Sequence, residues 1–153
     1  MPKPTIATDE EILGEHLPYE LWMLRETHEK LGSALTDQVL CNALIESFCL
    51  HARLLLEFFE KKKSKHAKDY TGGSYKAAHL GSLTKTERDK LNTQIAHITG
   101  YRTIDPSQKI GPALRLKLLT ALQREAITFE QQLTADFKPM FRRPSAAHQT
   151  KKD

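Results

Sequence analysis

The segment Thr36–Lys62 limits the possible folds of this chain more than any other part of the sequence. Its apolar residues fall on nearly every side of a helix, and a helix of this kind normally lies at the centre of a bundle. The same segment carries Glu46, His51 and Arg53. Because an unpaired charge is costly to bury, we predict a long central helix over about residues 36–62 whose polar side chains meet partners on another element.

Helix-start signals divide the rest of the chain into further helices. Thr8 with Glu11 and Thr84 with Glu87 each match a capping box, in which two side chains bond free backbone amides at a helix start. Pro112 suits a first helical turn, because the amide hydrogen that it lacks is not needed there. No segment alternates between polar and apolar residues as a strand does. We therefore predict an all-α protein, a bundle of four main helices with the long central helix among them.

A chain of 153 residues is a common size for one domain. We predict a disordered N-terminal tail over 1–8, a single helical bundle domain over 9–137 and a disordered basic C-terminal tail over 138–153. Within the domain, a run of lysines begins a long segment without a helical pattern. Long segments of this kind are usually functional or flexible, so we predict a mobile basic loop over about 61–83.

The chain is basic, with a net charge of +4 and a pI of about 9.1. This charge is compatible with an anionic partner such as RNA or DNA. The N-terminus lacks the apolar core of a signal peptide, and no uninterrupted apolar run reaches the roughly 18 residues of a membrane span. Cys41 and Cys49 would lie roughly 12 Å apart along one helix, too far for a disulfide. We expect a cytoplasmic protein with free thiols, no membrane contact, no metal and no cofactor.

Two groups of polar side chains indicate a site between helices. Glu46 and Arg53 share one side of the central helix, and a second group lies on or just after the third helix: Asn92, His97, Tyr101 and Arg102. An arginine can hold a phosphate and a histidine can transfer a proton near neutral pH, which is sufficient for metal-independent RNA cleavage. Alternatively, the charges only satisfy one another inside the core. His51 shares the apolar side of its helix, and we expect a core histidine.

The segment Glu46–Arg53, with the sequence ESFCLHAR, is followed by LNTQIAHIT at residues 91–99 and by Arg102. Over roughly residues 36–135 this pattern resembles the HEPN-like superfamily, in particular its abortive-infection-related and uncharacterised bacterial groups. The resemblance implies a helical bundle that often dimerises and that binds or cleaves RNA in toxin, antiphage or stress systems. The superfamily's active motif is an arginine followed, after four to six residues, by a histidine. His97 matches the histidine, but Asn92 occupies a position of the arginine, so the motif is not intact.

The leading hypothesis is therefore a HEPN-like protein that binds RNA, in a bacterial defence, toxin–antitoxin or stress setting. Whether it also cleaves RNA is an open question, and the residues expected to do so are His97, Arg53, Arg102 and Glu46. Further contacts with RNA are expected from Lys61, Lys62, Lys63, Lys65, Asn92 and Tyr101, while Tyr70 and Tyr75 could stack on bases. The alternative is a non-enzymatic helical homodimer that acts as an interaction or scaffold protein.

Overall fold

A computed structural model describes residues 6–33, 36–61, 64–93 and 109–144. All regular elements in these ranges are helical and none is a strand, which confirms the all-α prediction. The elements are α1 (Asp9–Glu11), a π-helical turn (Ile12–His16), α2 (Leu17–Leu31), α3 (Gln38–Glu60), α4 (Ala67–Tyr70), a 3₁₀ turn (Ala78–Ser82), α5 (Lys85–Thr93), α6 (Pro112–Gln132) and a 3₁₀ turn (Lys138–Met140).

The caps expected from the sequence are present. The Thr8 hydroxyl accepts a bond from the Glu11 amide while the Glu11 carboxylate accepts one from the Thr8 amide, and Thr84 and Glu87 repeat this reciprocal pair at the start of α5. Each pair satisfies backbone donors that the first helical turn cannot. The expected continuation of α5 towards residue 99 lies outside the described residues.

The π-helical turn lets α1 and α2 run on without a break across Pro18. In this turn the Leu17 amide donates to Ile12 O, five residues back. Pro18 has no N–H, so the carbonyl five residues before it, that of Leu13, is left for another donor. The backbone N–H of Arg142 donates to that oxygen at 3.3 Å. Pro18 therefore leaves Leu13 O free to accept the hydrogen bond that anchors the C-terminal segment.

The core forms where α2 packs along α3 and both contact α6. One side of α3 is fully buried through Phe48, Ala52, Leu55 and Phe59. On the opposite side Val39 is 79% and Leu50 is 52% exposed. The prediction of a central helix buried all round is therefore wrong: α3 has apolar residues on both sides, and among the described residues only one side is covered.

Residues 64–83 of the predicted mobile basic loop form short helical elements that pack against the core. They contain α4 and a 3₁₀ turn, and the side chains of Tyr70, Tyr75 and Leu80 are almost fully buried. The aromatic rings drive this burial, since both tyrosines pack edge-on against Phe129 of α6 at centroid distances of 6.4 and 5.9 Å. Neither ring is accessible for stacking on a nucleic-acid base.

The C-terminal tail predicted from residue 138 also differs from the structure. α6 ends at Gln132, and the chain then turns back so that Phe137, Met140 and Phe141 pack against the core. Apolar side chains at these positions gain stability by leaving water, which the basic composition of the segment concealed. Residues 145–153 of the predicted tail lie outside the described residues, as do residues 1–5 of the N-terminal one.

Among the described residues, α3 is the one helix long and apolar enough to cross a membrane. This differs from the prediction made from uninterrupted apolar runs, because a few polar residues are tolerated in such a window. Within the protein, 33% of the window is buried. Core helices of soluble proteins have the same length and composition, so the feature is only a weak indication of a membrane.

Arg88 on α5 provides a test of the packing of residues 78–83. Its guanidinium donates to Leu80 O at 2.6 Å, to Leu83 O at 3.3 Å and to the Glu60 carboxylate of α3. Arg88→Ala should lower the free energy of unfolding by about 1–3 kcal/mol, because partly buried acceptors lose their donor. Urea denaturation would measure it, with Lys85→Ala on the same helix as the control, since the Lys85 side chain is 93% exposed. Equal stability of both variants would contradict the proposed anchoring role.

Candidate functional site

The structure describes five of the ten residues expected to form the site. These are Glu46, Arg53, Lys61, Lys65 and Asn92, whereas Lys62, Lys63, His97, Tyr101 and Arg102 lie outside the described residues. Glu46 and Arg53 share one side of α3, while Asn92 is exposed on α5. The convergence of Arg53 with His97 and Arg102 therefore stays a prediction.

Lys61 and Lys65 come together at the C-terminal end of α3, where they line a shallow cleft of about 190 Å³. Both ammonium groups have acidic partners: Lys61 lies 3.6 Å from Glu57, and Lys65 lies 2.9 Å from Asp9. The hydrogen bond from Lys65 lowers the pKa of the Asp9 carboxyl. These pairs reduce the positive charge that the lysine run would otherwise offer to a phosphate backbone.

The exposed side of α3 forms a continuous surface that we call the outer face. At about 100° per residue, seven side chains fall within one sector of the helix: Val39, Ala43, Glu46, Leu50, Arg53, Leu54 and Glu57. Val39, Leu50 and Leu54 are exposed large apolar residues. Exposed apolar side chains are ordinary when scattered, but a row along one helix is typical of a surface that another molecule covers.

Glu46 and Arg53 lie on the same edge of the outer face. Glu46 is exposed and Arg53 is partly exposed, so the expectation of buried charges on a central helix is wrong for both. Neither forms a hydrogen bond or ion pair with another residue that the structure describes. Water can reach both groups, and among the described residues neither of them links α3 to the core. Their charges remain available to a partner.

His51 is on the core side of α3, as the sequence predicted. It is 6% exposed, and its Nδ1 lies 2.5 Å from Oε2 of Glu20 on α2. The ring also meets Tyr19 edge-on at a centroid distance of 5.8 Å. A buried imidazole needs such a polar partner, so the role of His51 is to join α2 to α3. The sequence reasoning missed Glu20, a charged residue beside the buried positions Leu17 and Leu21 of its helix.

A second buried network joins residues 75–79 to α6. Glu125 is fully buried, and its carboxylate accepts hydrogen bonds from the Tyr75 hydroxyl and, at 2.9 Å, from the backbone amide of His79. The Nε2 atom of His79 lies 3.0 Å from the Thr128 hydroxyl oxygen. Burial, followed by the bond to Glu125, raises the pKa of Tyr75 well above its usual range. The network holds the chain against α6, and its carboxylate has no access to solvent.

The sequence reasoning missed Glu125, although its spacing offered a signal. It lies three residues after Leu122 and four before Phe129, on the apolar side of α6. A carboxylate at a core position of a helix must find donors on another element. The donors come from a segment that the sequence presented as a loop, which is why the pair was not anticipated.

A third polar cluster lies where α2, α3 and the first turn of α6 meet. It contains His28, Cys49 and Arg115, and buried nitrogens of His28 (Nδ1) and Arg115 (Nε) have no hydrogen-bond partner. Burial, together with the charge of Arg115, lowers the pKa of His28, and burial raises the pKa of Cys49 to about 12. A thiol of this kind is protonated and unreactive. No disulfide joins Cys41 and Cys49, as predicted.

A groove lined by cationic side chains lies between the 3₁₀ turn Ala78–Ser82 and α6. Its volume is about 620 Å³, and it is lined by small side chains, by Leu116 and by the polar residues His79, Ser82, Lys117, Thr120 and Arg124. No acidic residue is among the described residues that line it. We call it the cationic groove. The sequence reasoning placed no site here, because Lys117, Thr120 and Arg124 resemble any polar side of a surface helix.

Among the described residues, no group of three histidine, cysteine or acidic side chains could hold a metal ion. No protein-family model, curated protein or solved structure matches this chain. The functional conclusions therefore depend on the geometry of the outer face, the buried networks and the cationic groove.

The buried Tyr75–Glu125 pair can be tested by removing one hydroxyl. Tyr75→Phe should lower the free energy of unfolding by about 1–3 kcal/mol, because a buried carboxylate oxygen loses its donor. Tyr70→Phe is the matched control: its hydroxyl donates to Asp9 at 3.1 Å, and Asp9 is partly exposed and also bound by Lys65. Urea denaturation should give a clearly smaller loss for Tyr70→Phe. A loss at Tyr75 no larger than at Tyr70 would contradict a structural role of the pair.

Proposed function

We propose that this protein is a non-enzymatic helical interaction protein that acts as a homodimer, with the outer face of α3 as the interface between the two copies. The observation that carries the proposal is the combination of exposed apolar residues with two opposite charges that have no partner among the described residues, on one edge of that face. Burying Val39, Leu50 and Leu54 against a second copy would remove their apolar surface from water. Homodimers with two-fold symmetry are the commonest oligomers of soluble proteins.

The positions of the charges favour an antiparallel pairing of two α3 helices. In a two-fold interface, residue i of one copy meets residue j of the other and j meets i. Glu46 and Arg53 lie seven positions apart on the same edge. A two-fold axis beside Leu50 would bring each Glu46 to the Arg53 of the other copy and would form the charge pair twice. The same axis would place the two copies of Leu50 next to each other.

Charge reversal gives a direct test of this pairing. The wild-type protein should sediment at about 35 kDa, twice the 17.4 kDa of the chain. Glu46→Arg and Arg53→Glu should each weaken dimerisation by about tenfold or more, since like charges would face each other twice. The double variant should restore it, because the pairs form again with their signs exchanged. Analytical ultracentrifugation measures all four, with Lys85→Glu on α5 as the control.

Two outcomes would contradict the dimer. One is a wild-type protein that stays monomeric at every accessible concentration. The other is a double variant no better than the single reversals, which would mean that Glu46 and Arg53 do not meet. Flotation with phosphatidylcholine vesicles tests whether a membrane covers the outer face instead of a second copy. Monomers that bind vesicles through Leu50 and Leu54 would assign the face to a membrane.

RNA binding, with or without cleavage, is the second candidate function. The resemblance to the HEPN-like superfamily suggests it, and the partly exposed side chain of Arg53, which has no partner among the described residues, favours it. In the antiparallel pairing Glu46 of the other copy would neutralise Arg53, so RNA binding through Arg53 would compete with this dimer. A defence, toxin–antitoxin or stress setting follows from the resemblance alone.

The cleavage hypothesis predicts a specific pattern of variants. If His97 transfers a proton in RNA cleavage, His97→Ala should reduce metal-independent RNA degradation by about 10² or more. Arg53→Ala should reduce it as well, while Lys85→Ala should leave it unchanged. Degradation of labelled RNA would be followed in the presence of a chelator. Equal activity in wild type and His97→Ala would end the catalytic hypothesis without affecting the homodimer.

A further inference from the structure

We propose that the cationic groove on α6 is a binding site for a phosphate ester. The site is separate from the outer face of α3, shares no residue with it and does not depend on the dimer. The proposal rests on the arrangement of Arg124, Lys117 and Thr120, on the fixed position of His79, and on the size and composition of the groove.

Three side chains of α6 supply the donors on one side of the helix. Lys117, Thr120 and Arg124 follow one another at intervals of three and four residues, which brings them to the same face. Arg124 is exposed and forms no hydrogen bond or ion pair with another described residue. Its planar guanidinium can donate two parallel bonds to a phosphate. The hydroxyl of Thr120 lies between the two cations in sequence and can donate a further bond.

Lys117 has a defined position in the groove. Its ammonium donates to both carboxylate oxygens of Glu87 at 2.9 and 2.8 Å, which lowers the pKa of Glu87. An ammonium has three donors, so one remains for a ligand. Glu87 offsets part of the charge of Lys117, and Arg124 is therefore the dominant cation. This distribution predicts that a single substitution at Arg124 should have the largest effect.

The opposite wall of the groove is held rigid by the buried network. The backbone amide of His79 is fixed by Glu125 and its ring by Thr128. The Ser82 hydroxyl donates to His79 O at 3.1 Å, which closes the turn. A wall whose geometry is already fixed loses little conformational entropy when a ligand binds. The second buried network therefore acts as the support of the groove.

Size and lining favour an ester of phosphate over a bare ion. A volume of about 620 Å³ lies within the range of small-molecule sites and exceeds what inorganic phosphate needs. Leu116 lines the groove and is 56% exposed, so an organic group attached to the phosphate would have an apolar surface to cover. Both a free nucleotide and the backbone of single-stranded RNA provide this chemistry.

Titration with two probes distinguishes these sources. Adenosine monophosphate and a short fluorescein-labelled single-stranded RNA would be titrated into wild type, Arg124→Ala and Arg143→Ala, by calorimetry and fluorescence anisotropy. Arg143 is the control: its side chain is 81% accessible, it lines a different groove, and it lies 3.1 Å from the Glu130 carboxylate. We expect Arg124→Ala to weaken binding of at least one probe by about tenfold or more, with Arg143→Ala unchanged.

Every outcome decides the proposal. Loss confined to the nucleotide assigns the groove to a small phosphorylated ligand, and loss confined to RNA assigns it to a nucleic-acid backbone. No binding of either probe, or equal binding by wild type and Arg124→Ala, would overturn the site. An equal loss in Arg124→Ala and Arg143→Ala would overturn it too, because it would indicate unspecific attraction to a basic surface. Ultracentrifugation of the same samples reports separately on the dimer.

Discussion

The packing of one side of α3 against α2 and α6 is the constraint on which the rest of the structure depends. Phe48, Ala52, Leu55 and Phe59 are removed from water there, and this burial supplies the main driving force for joining the long helices. α3 is 23 residues long and apolar on both sides. Burying one side against α2 and α6 therefore leaves the other side exposed. The outer face is a direct consequence of this choice.

Two buried polar links limit how the helices can be arranged around that core. His51 pairs with Glu20 between α3 and α2, and Glu125 of α6 receives donors from Tyr75 and His79. Buried polar groups require partners of defined geometry, so each link restricts how far its elements can slide or rotate. Apolar packing alone tolerates more variation. The links therefore fix positions as well as add stability.

The two proposed surfaces arise from different parts of this arrangement. The outer face follows from the excess of apolar residues on α3, whereas the cationic groove exists because the Tyr75–Glu125 network draws residues 78–82 against α6. A surface rich in exposed apolar side chains suits a protein partner, and an arginine-lined groove without acidic residues suits a phosphate. The two proposed functions are compatible, because one uses apolar burial on α3 and the other uses charged and polar side chains on α6.

The net charge of +4 is not spread evenly over the described surface. Lys61, Lys65 and Lys117 are each held by a carboxylate, so these three lysines attract nucleic acid less strongly than the sequence indicates. Arg53 and Arg124, on the two proposed surfaces, have no such partner in the part of the chain that the structure describes. Pairing with nearby carboxylates decides which cationic side chains can bind an anionic ligand. The total charge of the chain does not show which side chains these are.

The sequence by itself determined the helical class, the caps at Thr8 and Thr84, the first turn of α6 at Pro112 and the core position of His51, because these depend on spacing and on local hydrogen bonds. Only the tertiary structure decided which side of α3 is buried, since both sides are apolar and periodicity cannot choose between them. It also decided the partner of Glu125, because Tyr75 lies 50 residues away along the chain. Contacts between distant residues depend on how whole helices pack, and this packing cannot be read from a local sequence pattern.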